Sequence, residues 1–218
     1  MLDLNEEKNL FARGYKVIAG IDEVGRGPLA GPVVAAALVL SSKSPLHFGG
    51  QGITTDKLKE IKDSKKLAEK KREELYEVIR EEFDEVGIGI CDQGTIDKIN
   101  ILQAGFLAMK KAIGSLKNKP DFIMLDGKFL IPNCSYQQQA IIHGDNLVFS
   151  IAAASIIAKV TRDRIMKEMH EQYPQYCFDQ HKGYGTKLHL EQLRAHGPCQ
   201  IHRRSFGPVK RLLKHKNT

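Results

Sequence analysis

Apolar positions along this chain follow two periods, and the changes of period mark out its elements. VIAGID (17–22) and the apolar run at 32–40 read as two strands, an antiparallel pair joined by a glycine-rich loop. EVGIGIC (85–91) gives a third strand, DFIMLD (121–126) a short buried fourth, and residues 136–143 a fifth that stops at Gly144. Helical spacing predicts a leading helix over 2–12 and a second over AEKKREELYEVIREEF, with Leu75, Val78, Ile79 and Phe83 on one face. Over 95–116 it predicts one continuous helix whose Ile96, Ile99, Leu102, Phe106, Met109 and Ile113 share a face. A long helix follows over 147–173, opening with the small residues AAAS at 152–155, and the last third holds one or two more. SSKSPLHFGGQG reads as a surface loop. Three early strands, then strands alternating with helices, predict an α/β layer fold on a mixed central sheet.

Composition narrows the class. At 218 residues the chain fits a single domain, with residues from about 175 to 218 as a basic helical C-terminal extension. The net charge of +7 points to an acidic partner, most simply nucleic acid, and the excess gathers in HRR (202–204) and KRLLKHK (210–216). Four cysteines form no CxxC and no metal-ligand spacing, which places the protein in a reducing cytoplasm. The N-terminus does not resemble a signal peptide, and the longest apolar run is too short to cross a bilayer. The histidines show no HExxH spacing, and P-loop and Ser/His/Asp patterns do not emerge.

The candidate chemistry lies where apolar runs end in acids. IAGID ends at Asp22, followed by Glu23; FIMLD ends at Asp126; HGDN carries Asp145 just before the long helix, where it would also serve as an N-cap. Carboxylates converging from separate strand ends suit hard divalent cations, and two such cations would clamp a phosphodiester. On a regular strand Asp22 and Glu23 face opposite ways, so sharing one site requires the strand to stop there, at Gly25 and Gly27. In that loop the backbone N–H groups can approach a ligand closely. Lys159 and Asp163, four apart, read as a helix-surface ion pair, and Ser155 shares the face of Lys159.

The ordered blocks IDEVGRGPLAGP, DSKKL, LDGKF, GD (144–145), SIAAASIIAKVTRD and HKGYGT closely resemble bacterial ribonuclease HII from about Val17 to Val209. The resemblance implies a ribonuclease H-like fold and a monomeric enzyme that cleaves RNA paired with DNA, including a single ribonucleotide within duplex DNA, leaving 5′-phosphate and 3′-hydroxyl ends. It implies Asp22, Glu23, Asp126 and Asp145 as ligands for Mg²⁺ or Mn²⁺. Gly25, Arg26 and Gly27 would contact the ribose 2′-hydroxyl and neighbouring phosphates, Tyr184 would stack on the sugar, and Lys65 would contact a phosphate. The competing readings are a packed turn aromatic for Tyr184 and a solvated charge for Lys65. One departure is Ala68 after DSKKL, where relatives carry Ser or Thr, so the next helix lacks a side-chain cap. The rival functions are a ribonuclease HIII-like enzyme, a non-catalytic hybrid-binding protein and a small-molecule phosphatase.

Overall fold

The computed structural model describes residues 2, 4–41, 58–61, 64, 67–83 and 85–215. Strands β1 (Val17–Val24), β2 (Val33–Ser41), β3 (Val86–Cys91), β4 (Phe122–Asp126) and β5 (Gln137–Ile141) form one mixed sheet in the order β3-β2-β1-β4-β5. β1 and β2 are antiparallel, as are β2 and β3, whereas β1–β4 and β4–β5 are parallel. The helices are α1 (Asn5–Ala12), α2 (Glu69–Glu82), α3 (Gln93–Ile99), α4 (Ile101–Gly114), α5 (Gly144–Leu147), α6 (Phe149–Gln172), α7 (Phe178–His181), α8 (Lys187–His196) and α9 (Gly207–His215). The predicted surface loop lies, apart from Ser41, outside the described residues.

Both faces of the sheet are covered, which explains the unbroken apolar character of β2. Val34, Ala36, Leu38 and Leu40 pack with α2 and α6, while Val33, Ala35, Ala37 and Val39 pack with α4. The chain is therefore a three-layer α/β/α sandwich. Position 20 fixes how closely α6 lies on β1. A Cβ on Gly20 would sit 2.4 Å from the Ser150 carbonyl carbon, so only glycine admits this contact.

The single helix expected over 95–116 is two. Asn100 adopts φ 67°, ends α3, and accepts from the Leu102 and Gln103 N–H groups at the start of α4. Its side chain satisfies donors that an uninterrupted helix would bond internally, so the chain turns without losing hydrogen bonds. Ile99, before the turn, is consequently exposed rather than on the apolar face. Neither α2 nor α6 has a side-chain cap of its own: Ala68 precedes α2, as expected, and Val148 precedes α6. For α6 the acceptor comes from α1, where buried Glu7 takes the Ser150 N–H at 2.9 Å.

The basic C-terminal third folds onto the sheet domain. Ala30 forms an antiparallel bridge with His202, the Arg203 N–H donates to Leu29 O at 2.8 Å, and the Leu29 N–H donates to Gly183 O at 2.8 Å. Asp97 on α3 holds the Arg204 and Ser205 N–H groups, both at 2.9 Å.

Candidate active site

Register brings the acids together. Ile21 pairs with Leu125 across the parallel β1–β4 ladder, so Asp22 and Asp126 stand one step further at neighbouring strand ends. Asp145 arrives from the turn after β5, where His143 takes the left-handed conformation at φ 58°. Its N–H points at Asp126 Oδ1, 3.4 Å away, and its Oδ1 accepts from Asn146 Nδ2 at 2.8 Å. Asp22, Asp126 and Asp145 each place a carboxylate oxygen within 4.8 Å of the other two. Asp145 lies inside α5 and does not cap α6, whose cap position is Val148, so the capping alternative is corrected.

β1 ends at Val24, directly before Gly25, where the glycine loop is expected to stop it; Asp22 and Glu23 both lie within the strand and point to opposite faces. Asp22 faces α6, and Glu23 stands outside the trio, lining a cleft with Asp126 and with Leu102, Phe106 and Met109 of α4. It stays electrostatically close to Asp126. Burial, opposed by Arg26 and reinforced by the Asp126 charge, pushes Glu23 up to about 7. Burial first, then the charges of Glu23 and Asp126, hold Asp22 well above the usual carboxylate range.

Hydrogen bonds to Asp22 come from the Glu23 N–H at 2.7 Å and the Ser155 hydroxyl, and Ser155 Oγ lies 2.9 Å from Ser64 Oγ. The Gly20–Ser150 contact accounts for this. Five residues along α6 advance about 7.5 Å, close to the roughly 6.6 Å that two strand residues advance from Gly20 to Asp22. Ser155 therefore lies beneath the acids. Lys159 does not: its Nζ pairs with Asp163 Oδ1 at 2.7 Å, with Arg72 Nη2 3.8 Å from Asp163. Asp163 is buried, which corrects the expectation of a surface pair.

The loop after β1 meets the HKGYGT segment. Gly25 has φ 96°, and a Cβ there would lie 2.4 Å from Arg162 Nε and 2.7 Å from Pro32 O. Gly27 is exposed and unconstrained: among the described residues the only contact its Cβ would make is Tyr184 Cε1 at 3.8 Å. Tyr184 is 39% exposed, so its ring is presented rather than packed away. Arg26 Nη1 lies 3.2 Å from Glu23 Oε1. Lys65 falls outside the described residues.

Two arginines that the sequence presented only as basic charge organise this corner. Arg203 is fully buried and donates to the carbonyls of Gly25 (2.7 Å), Gly31 (2.9 Å), Pro32 (3.1 Å) and Arg26 (3.2 Å). Arg162, also fully buried, donates to Pro32 O (2.9 Å), Lys182 O (2.9 Å) and Ala30 O (3.2 Å), and sits 5.7 Å from the Tyr184 ring centre. A planar guanidinium with five donors suits this task, since one group satisfies several converging carbonyls. Behind Tyr184, His189 Nδ1 lies 2.9 Å from the Tyr184 carbonyl and His189 Nε2 lies 3.1 Å from His202 Nε2. The Cys199 N–H donates to His202 Nδ1 at 3.0 Å. The donors alternate along the chain when each ring is neutral. Burial drives both imidazoles down to about 4, with their mutual charge adding to the effect at His202.

The donor set fits a divalent cation. Three all-oxygen ligands converge where burial and like charge disfavour the ionised form of Asp22, and a hard cation reverses both penalties. Carboxylates at adjacent parallel strand ends, in a mixed sheet covered by helices, fit the ribonuclease H-like fold that the sequence resemblance implies. The comparisons specify it. The family model described as Ribonuclease HII matches residues 19–209. A ribonuclease HII of Caldicellulosiruptor bescii is 50% identical over 92% of this chain and 91% of its own. One of Endomicrobium trichonymphae is 46% identical over 95% of this chain and 93% of its own. The crystal structure of ribonuclease H2 from Pyrococcus horikoshii OT3 superposes with a TM-score of 0.73 at 25% identity, covering 93% of this chain and 99% of that one. The chain belongs to the ribonuclease HII family, and it is an endoribonuclease of the ribonuclease H class.

Proposed function

We propose that this enzyme cuts duplex DNA on the 5′ side of a single embedded ribonucleotide, and the RNA strand of longer hybrids, through Asp22, Glu23, Asp126 and Asp145 with Mg²⁺ or Mn²⁺. The observation that carries the reading is the trio of carboxylates within 4.8 Å of one another at the end of β1, whose following loop sets Gly27 beside Tyr184, so that a Cβ on Gly27 would lie 3.8 Å from Tyr184 Cε1. Asp22, Asp126 and Asp145 would hold the cations, with Glu23 reaching the same place across the open end of β1. When bound, the cations supply Lewis-acid stabilisation of developing charge and lower the pKa of the attacking water. Attack at phosphorus breaks the bond to the 3′ oxygen, leaving a 5′-phosphate and a 3′-hydroxyl.

The chain's own residues supply selection. The exposed backbone of Gly27 meets the 2′-hydroxyl, the feature separating RNA from DNA. Tyr184 stacks on the sugar, while Arg26 and Lys65 position phosphates without reading bases. Arg203 and Arg162 hold the loop against the Tyr184 segment, so hydroxyl and ring contacts are made at a fixed spacing. The family match running to residue 209 supports treating the chain as one catalytic domain that includes its basic C-terminal part. We further assign it to the cytoplasm as a monomer; among the described residues no helix is long and apolar enough to cross a membrane.

The test is incubation with a duplex carrying one ribonucleotide, with Mg²⁺ or Mn²⁺. Cleavage 5′ to the ribonucleotide is expected. Cutting only within runs of ribonucleotides would instead favour the ribonuclease HIII-like reading, and binding without cleavage the non-catalytic one.

A further inference from the structure

Beyond Asp126 the chain builds a feature that the nuclease reading leaves unused. Gly127 turns at φ 100°, and the next two residues are Lys128 and Phe129. Phe129 is 46% exposed, Lys128 is exposed, and Lys128 Nζ lies 5.1 Å from the Phe129 ring centre. Both line the cleft of about 160 Å³ that opens from Glu23 and Asp126, with Arg26 also on its wall and Phe106 and Met109 beneath. Neither Gly27 nor Tyr184 borders it. The segment is held in place: Gln138 on β5 accepts the Ile131 N–H at 2.9 Å and donates to Ile131 O at 3.0 Å. An amide clamp of this kind fixes the strand end and the two side chains it presents.

We propose that this cleft is a second contact for the strand being cut, separate from the Gly27–Tyr184 corner, with Phe129 as the platform for a base or sugar and Lys128 as a phosphate contact. The inference rests on the nuclease reading of the acids. Lys128 and Phe129 lie two and three residues past Asp126, a reach of at most about 7–10 Å. That spans about two or three nucleotide steps at roughly 3.4 Å of helix axis each. An exposed ring beside a cation, with a second cation across the cleft, matches how proteins hold a nucleic-acid strand without reading its sequence. The +7 chain supplies the long-range attraction, and the cleft supplies the local fit.

Phe129→Ala and Lys128→Ala test this, since both side chains are exposed and thermal unfolding should be unchanged. Duplex affinity is measured in EDTA across a salt series, and cleavage in Mg²⁺. Phe129→Ala should weaken binding and raise KM by about 5- to 100-fold with kcat little altered. Lys128→Ala should reduce the slope of log affinity against log salt by about one. Trimming the duplex to one base pair beyond the ribonucleotide, on each side in turn, should abolish the Phe129→Ala defect on one side only. Wild-type affinity and salt slope in both variants would overturn the proposal, as would a Phe129→Ala defect that persists on both trimmed duplexes. A wild type that bound but did not cut would overturn the nuclease reading instead, while the affinities still decided the cleft.

Discussion

Two glycines of one loop make opposite predictions, and the difference separates folding from recognition. Gly25 is held at φ 96°, where an L side chain costs about 1–2 kcal/mol. Its added Cβ would also press within 2.4 Å of Arg162 Nε and 2.7 Å of Pro32 O, both fixed by the buried guanidinium network. Overpacking of that kind costs about 1–3 kcal/mol. Gly25→Ala should therefore lose about 2–5 kcal/mol, a large share of a typical stability of about 5–15 kcal/mol. Gly27 has no left-handed φ, and among the described residues its Cβ would meet only Tyr184 Cε1 at 3.8 Å, an ordinary contact. Gly27→Ala should leave unfolding within about 0.5 kcal/mol of wild type. Its effect belongs to the complex. A methyl group standing where the ribose must approach the backbone should lower kcat/KM on a single-ribonucleotide duplex by at least about tenfold, some 1.4 kcal/mol. Affinity for the same duplex made wholly of DNA should change less than twofold. Urea unfolding, cleavage kinetics and duplex binding read the three quantities on one preparation. Normal cleavage by Gly27→Ala, or equal losses on ribonucleotide-containing and plain DNA, would refute the assignment of this loop to the 2′-hydroxyl. A Gly25→Ala protein as stable as wild type would refute the packing argument.

Asp22→Asn keeps the shape and the acceptor for the Glu23 N–H while removing a buried charge that two neighbouring carboxylates repel. In EDTA it should be more stable than wild type by about 1 kcal/mol or more, yet fail to cut and lack the rise in Tm that millimolar Mg²⁺ should give wild type. A less stable Asp22→Asn in EDTA would mean that this aspartate is structural. Arg203→Met strands the carbonyls of Gly25, Arg26 and Gly31, so it should cost about 3–5 kcal/mol; a loss below about 1 kcal/mol in urea would contradict that. His189 and His202 stay neutral in the folded protein down to about 4 but protonate near 6.5 when unfolded. The stability they confer is complete above pH 6.5 and is lost as pH falls towards 4, on the order of 3 kcal/mol for the first of the pair to protonate. An NMR titration should find the His189 and His202 imidazoles silent down to about pH 4.5; either one titrating near 6.5 would refute it.

The strands were legible because short buried runs of apolar residues bounded by turn chemistry have few other uses, and β1, β2, β3 and β4 lie where those runs are, two of them carrying the acids Asp22 and Asp126. The break at Asn100 was not, because Asn100 occupies a polar position that a continuous amphipathic helix also allows. Arg162 and Arg203 were hidden for a different reason. In TRDR and HRR they count as surface charge, and charge counting cannot reveal which guanidiniums are fully buried. A signal did exist. A loop of glycine and proline between two strands forgoes ladder pairing, so the carbonyls of residues 25, 26, 30, 31 and 32 need donors from elsewhere. Long side chains with several N–H groups are the economical source.

The adjacent acids show where the reasoning from strand geometry needed one more step. Asp22 and Glu23 were expected to share a site only if β1 stopped at Gly25 and Gly27, and β1 does end at Val24, with both acids still inside the strand. Its neighbour stops sooner. β4 ends at Asp126, so β1 beyond Asp22 is paired only with β2, through Glu23–Ala35 and Val24–Val34. On the β4 side this leaves a notch. Asp22 reaches Asp126 on the α6 face, and Glu23, directed to the α4 face, opens onto the cleft that Asp126 also lines. The effect of the Asp126 charge on both residues is the electrostatic trace of that arrangement. Two consecutive carboxylates on opposite faces thus open onto one notch because the sheet is open beside them. Neighbouring strands of unequal length create that opening, and the length of β4 is encoded a hundred residues away from the acids it exposes.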